Sequence, residues 1–158
     1  MAEPIPDRII AGIDHARELY YRLIILVAPA ASGKTDALRI VHKRIAAPLI
    51  NINFELSQRL LNITIRQRAL RLPSILYEIV GTSNGAVVLL DNIEVLFDVS
   101  LKQDPLRLLQ VLSRNKTVVV AWNGSINDEH LVYATPNHPE YKRYPVQDFL
   151  VVNPEVVA

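Results

Sequence analysis

Hydrophobic positions along the chain fall into two alternating kinds of segment. Over residues 7–20 they recur every three or four positions, at Ile10, Ile13, Ala16 and Leu19/Tyr20. That spacing predicts an amphipathic helix with Asp7 as its N-cap. Residues 22–27 form a short run that is apolar after Arg22, fit for a buried strand. A small-residue loop follows, then a helix to about Ala46 with Ala37, Val41 and Ile45 on one side, stopped by Pro48. Residues 49–53 alternate and predict a second strand. Two helical pieces come next, over 57–71 and 74–80, separated by Pro73 and ended by Gly81. Residues 86–90, closing on Asp91, read as a third strand. Asp104-Pro105 opens another helix, an N-cap followed by proline at the first helical position, with Leu106, Leu109 and Leu112 turned inward. The Val-rich run 117–122 is a fourth strand. Residues 124–148 contain three prolines and predict an irregular segment with a short helix near 139–144, before a last strand over 149–152.

Nearly continuous apolar strands alternating with helices predict a mainly parallel sheet covered on both faces. Right-handed crossovers make this a three-layer α/β/α sandwich, expected to form a single domain over residues 1–158. Composition agrees: half of the residues are hydrophobic and 21% are charged, a globular balance. The absence of cysteine excludes disulfides and thiolate metal sites. No apolar run reaches a membrane-spanning length, and the first residues do not resemble a signal peptide, so a cytoplasmic location is expected.

Net charge is only +1, but it is unevenly spread. Residues 34–72 hold eight basic side chains against two acidic ones, whereas 73–158 hold six against ten. This asymmetry leaves open direct contact with DNA, a charged face between subunits, or simply solvated helices.

The string Ala28-Pro29-Ala30-Ala31-Ser32-Gly33-Lys34-Thr35 has the spacing of a Walker A phosphate loop, with alanine in the first glycine position. Such a loop needs a strand-to-helix turn with free N–H groups, a lysine for the β- and γ-phosphates and a hydroxyl for Mg²⁺. The pattern therefore predicts ATP binding by residues 28–36, from Ala28 to Asp36, with Thr35 and Asp91 as the Mg²⁺ ligands. The Ala31 methyl is expected close to the path of the β-phosphate. Asp91 ends its strand in Walker B fashion, at the carboxyl edge where open α/β sheets bind ligands. The next residue is Asn92, where many ATPases have glutamate, so hydrolysis needs another carboxylate. Glu94 is the first choice and Glu55 the second. Asn123 ends the fourth strand and is a candidate sensor of the γ-phosphate, with a plain Asn-Gly turn as the alternative. Asn53 is a candidate contact of the catalytic carboxylate, and Arg143 a candidate arginine finger for a neighbouring subunit. The four histidines show no metal-ligand spacing, and the guanine-reading Asn-Lys-x-Asp motif of GTPases is absent.

Several longer strings are more specific than the Walker motif. They are Leu89-Leu90-Asp91-Asn92-Ile93-Glu94-Val95-Leu96-Phe97, Leu101-Lys102-Gln103-Asp104-Pro105-Leu106-Arg107-Leu108-Leu109, Ser113-Arg114-Asn115, Ala121-Trp122-Asn123-Gly124, Tyr133-Ala134 and His138-Pro139-Glu140-Tyr141. Together they resemble the BrxF family, small P-loop proteins of type III BREX anti-phage systems. The resemblance implies a prokaryotic defence protein working beside a DNA methyltransferase, a helicase-like ATPase and an alkaline-phosphatase-like protein. The core is also similar to AAA+ ATPases, but with the helical lid and its sensor arginine expected to be missing. The resulting expectation is a slow Mg-ATPase that self-associates or joins other BREX components. The alternative is a nucleotide-dependent assembly switch with little hydrolysis, in contact with DNA directly or through partners.

Overall fold

The computed structural model describes residues 3–154. Its helices are α1 (Ile5–Ala16), α2 (Lys34–Ile45), α3 (Ile52–Leu60), α4 (Ile65–Gly81) and α5 (Pro105–Leu112). The apolar runs become strands β1 (Leu23–Ala28), β2 (Leu49–Asn51), β3 (Val87–Asp91) and β4 (Thr117–Asn123). Three short strands follow, β5 (Ser125–Asn127), β6 (His130–Tyr133) and β7 (Lys142–Pro145), and then β8 (Leu150–Val152).

One five-stranded sheet runs in the order β2-β3-β4-β1-β8, and every neighbouring pair is parallel. Its inner strands are buried on both faces because successive side chains point to opposite sides. Leu23, Ile25 and Val27 of β1 pack with α3, α4 and α5, while Ile24 and Leu26 pack with α1 and α2. The protein is thus α/β, with helices on either side of a parallel sheet.

Several boundaries differ from the sequence expectation. The N-terminal helix covers Ile5–Ala16 rather than 7–20, and Pro4, not Asp7, is its N-cap. Asp7 lies in the first turn, where its carboxylate takes a 2.5 Å ion pair from Arg44. The second strand stops at Asn51 because the Asn51 side chain accepts from the Phe54 N–H at 3.0 Å and caps α3. Thr64 caps α4 in the same way through the Gln67 N–H, at 3.2 Å. Pro73 does not divide two helices but lies inside α4. A proline there leaves the carbonyl four residues earlier without its N–H partner. Gln103 supplies the missing donor, its Nε2 lying 2.8 Å from the Ala69 carbonyl oxygen and 2.8 Å from that of Leu101.

The largest correction concerns residues 124–148. They form an antiparallel meander of β5, β6 and β7, with strand β7 where a short helix was expected. A single residue, Gly124, joins β4 to it, and a Cβ there would overlap the Val132 carbonyl oxygen. The meander seats on fully buried Trp122, whose Nε1–H donates to that same carbonyl at 3.2 Å. Phe97 stacks on Tyr133 with centroids 3.6 Å apart, and both pack edge-on against Trp122.

Candidate functional site

At the carboxyl edge of the sheet, Ala28 lies in register beside Asn123 of β4. The chain then turns through two left-handed residues, Ala31 (φ 58°) and Gly33 (φ 93°). A Cβ on Gly33 would meet nothing within 4 Å, so glycine is favoured there by conformation and not by space. Gly33 is also the N-cap of α2 and contributes no side-chain cap. The first-turn N–H groups of a 12-residue helix, with their partial positive charge, therefore lie at this loop without a capping side chain.

Lys34 follows at the base of the loop and is only 8% exposed. Its Nζ donates to the carbonyl oxygens of Ala28 (2.9 Å) and Pro29 (2.6 Å) and to Ser32 Oγ (3.4 Å). Burial pushes its pKa below the usual lysine value, and the charges of Asp91 and Glu94 act in the opposite direction. A buried ammonium held mainly by loop carbonyls is a cation readily offered to an incoming anion.

Asp91 ends β3 and shares the α2 side of the sheet with Leu89, by the two-residue periodicity of a strand. Thr35 Oγ1 donates to Asp91 Oδ2 at 2.6 Å, and the Asn92 N–H donates to Oδ1 at 2.9 Å. This hydroxyl–carboxylate pair offers two hard oxygen donors side by side, which suits a Mg²⁺ ion that keeps waters and phosphate oxygens as its remaining ligands. No group of three or more His, Cys, Asp or Glu that would form an all-protein metal cage occurs among the described residues.

One cleft of about 440 Å³ collects most of the residues singled out in the sequence. It is lined by residues 30–36, Asp91, Asn92, Glu94, Ala121 and Asn123. Ala28 and Pro29 stand behind it as carbonyl partners of Lys34. Glu94 opens a short 3₁₀ turn, Glu94–Phe97, whereas Glu55 lies in the first turn of α3 and is not part of the lining. Asn53 takes a different role from the expected contact with a carboxylate. Its N–H donates to the Asn92 carbonyl and its Oδ1 accepts from the Val95 N–H, both at 2.9 Å, so it clamps the backbone on either side of Glu94. Arg143 is exposed on β7, beside Val132 in register, and is not among the lining residues.

Two further residues, given no site role from the sequence, bear on the cleft. Arg39 of α2 lines the cleft. Tyr133, stacked on the Glu94–Phe97 turn, has its phenol pushed up to about 12 by burial and by the carboxylates of Glu140 and Glu94. The periodicity of α2 could have drawn attention to Arg39, four residues after Thr35. Tyr133 stands in one of the strings that carry the BrxF resemblance, but nothing in the sequence placed it near Glu94.

Neither protein-family models nor curated proteins give any match to this chain. The chemistry of the cleft therefore rests on its own geometry, which favours an anion near Lys34 and the start of α2, beside a carboxylate–hydroxyl pair suited to a divalent cation.

Proposed function

We propose that residues 28–36 form a P-loop that binds the phosphates of ATP with Mg²⁺, and that the protein is a slow ATPase. One observation carries this reading. The uncapped start of α2, the buried Lys34 ammonium and the Thr35–Asp91 pair converge on a single cleft at the carboxyl edge of a parallel sheet. In this reading Lys34 exchanges its carbonyl partners for phosphate oxygens, and Thr35 and Asp91 hold the ion. Bound Mg²⁺ neutralises phosphate charge. Glu94 orients the attacking water, with its backbone held by Asn53, and Asn123 senses the γ-phosphate from the strand beside the loop.

The resemblance to BrxF proteins extends the proposal to a cytoplasmic component of a type III BREX system that self-associates or binds other components. Exposed Arg143 is then offered to the cleft of a neighbouring copy. A second reading, a nucleotide-dependent switch with little turnover, is favoured by the amide Asn92 directly after Asp91, where a carboxylate would serve hydrolysis better. Contact with DNA has less support. The basic residues of 34–72 are divided between α2 on one face of the sheet and α3 and α4 on the other, and Arg59 is paired with Glu78 at 3.4 Å.

The experiment is nucleotide binding and phosphate release by the purified chain with Mg²⁺, with molecular mass in solution followed in parallel. Lys34→Ala should abolish binding. Glu94→Gln should keep binding and lower turnover by about 10²-fold or more. Binding unchanged in Lys34→Ala would overturn the P-loop assignment, and ATP binding without turnover under any assembly condition would favour the switch.

A further inference from the structure

Arg39 shares the cleft with the residues above, yet the phosphate-loop pattern assigns it nothing. It follows Thr35 by four residues in α2, so the two side chains share one face of the helix, about 6 Å apart along its axis. Thr35 is bonded to Asp91, which turns that face toward the end of β3 and the Glu94 side of the cleft. Side chains on a helix lean toward its N-terminus, so an arginine at position 39 reaches back to the level of Thr35. The guanidinium already leans this way, with Nη1 3.4 Å from Oδ1 of Asp36. That pair is 65% and 79% exposed, and exposed pairs hold weakly. Arg39 is therefore free to exchange Asp36 for a stronger anion.

Charge gives the exchange a direction. The cleft lining holds three carboxylates, Asp36, Asp91 and Glu94, against Lys34 and Arg39. A triphosphate whose last phosphate lies near Asp91 and Glu94 faces repulsion there. Lys34 is anchored on the loop side, so Arg39 is the lining cation on the face of α2 that Thr35 turns to Asp91. We propose that Arg39 leaves Asp36 and binds the γ-phosphate, so that the chain distinguishes ATP from ADP within one subunit. This rests on the Mg-ATP reading of the cleft and adds to it a residue that reads the terminal phosphate.

Calorimetric titration of Mg-ATP and Mg-ADP into the wild type, Arg39→Ala, Arg39→Lys and Lys34→Ala tests the proposal. Arg39→Ala should weaken ATP about tenfold or more, the scale of one charge-assisted contact, and ADP less than about twofold. Arg39→Lys should restore part of the loss. Equal weakening of ATP and ADP, as from a contact to base or ribose, would overturn the proposal, and so would unchanged affinity for both. If the wild type binds ATP in a Lys34-dependent way, such a result removes only the role of Arg39. If the wild type binds neither nucleotide, or Lys34→Ala binds like the wild type, the reading of the cleft falls and the role of Arg39 falls with it. Arg39 is exposed, and an unchanged melting temperature in Arg39→Ala would exclude unfolding as the cause of any loss.

Discussion

Two titratable side chains near the cleft, buried Lys34 and partly buried Tyr133, are shifted in opposite directions. Lys34 is kept below its usual pKa mainly by burial, so the loop holds an ammonium whose solvation is incomplete. Tyr133 is shifted upward instead, from 10.0 to about 12. Between those values the unfolded chain releases the phenolic proton while the folded chain retains it. Its contribution to stability is complete below pH 10 and is lost as pH rises toward 12. Urea midpoints measured at pH 9 and pH 11 should therefore fall for the wild type, and fall less for Tyr133→Phe. At this scale the site was partly readable in advance. The loop residues are contiguous and Asp91 closes an obvious strand, so their chemistry is local. Arg39 enters only through the phase of α2 against β3, and Asn53 bonds the Val95 N–H, 42 residues away, which no spacing rule connects to it.

Among the elements, α4 gives the clearest case of a local rule overridden by tertiary structure. Proline predicts a break, and the helix continues because Gln103 repairs the carbonyl that Pro73 leaves unpaired. Both acceptors of Gln103 are carbonyls, so its amide nitrogen must face them. Gln103→Leu should destabilise the fold by about 1–2 kcal/mol, the cost of an unsatisfied, partly buried acceptor. In a Pro73→Ala background, where the backbone N–H returns, the same substitution should cost clearly less. A double-mutant cycle in urea measures the difference. The meander was unreadable for a related reason. Its strands are three or four residues long and partly exposed, with prolines between and at the end of them, and they gain order by seating on Trp122. The main strands carried their own evidence, since burial on both faces demands an unbroken apolar run.

Across the whole molecule, the parallel sheet divides the chain into two faces and one edge that carries the cleft. Charge that looks concentrated in sequence is separated by this arrangement, because α2 and the α3–α4 pair stand on opposite sides. Chain connection and aromatic stacking both join this edge to the meander. Asn123 is followed by one glycine and then β5, while the Glu94–Phe97 turn reaches the same place through the stack of Phe97 on Tyr133. Trp122 lies where these two routes meet, and it is the only tryptophan of the chain. The protein thus contains a native fluorophore next to the residue that faces the terminal phosphate in the proposed function. Excited near 295 nm, its emission should change in intensity or wavelength when Mg-ATP fills the cleft, and should remain unchanged in Lys34→Ala. Stopped-flow recording of that unlabelled signal would time nucleotide entry and release directly, with the indole serving as the chain's own optical clock.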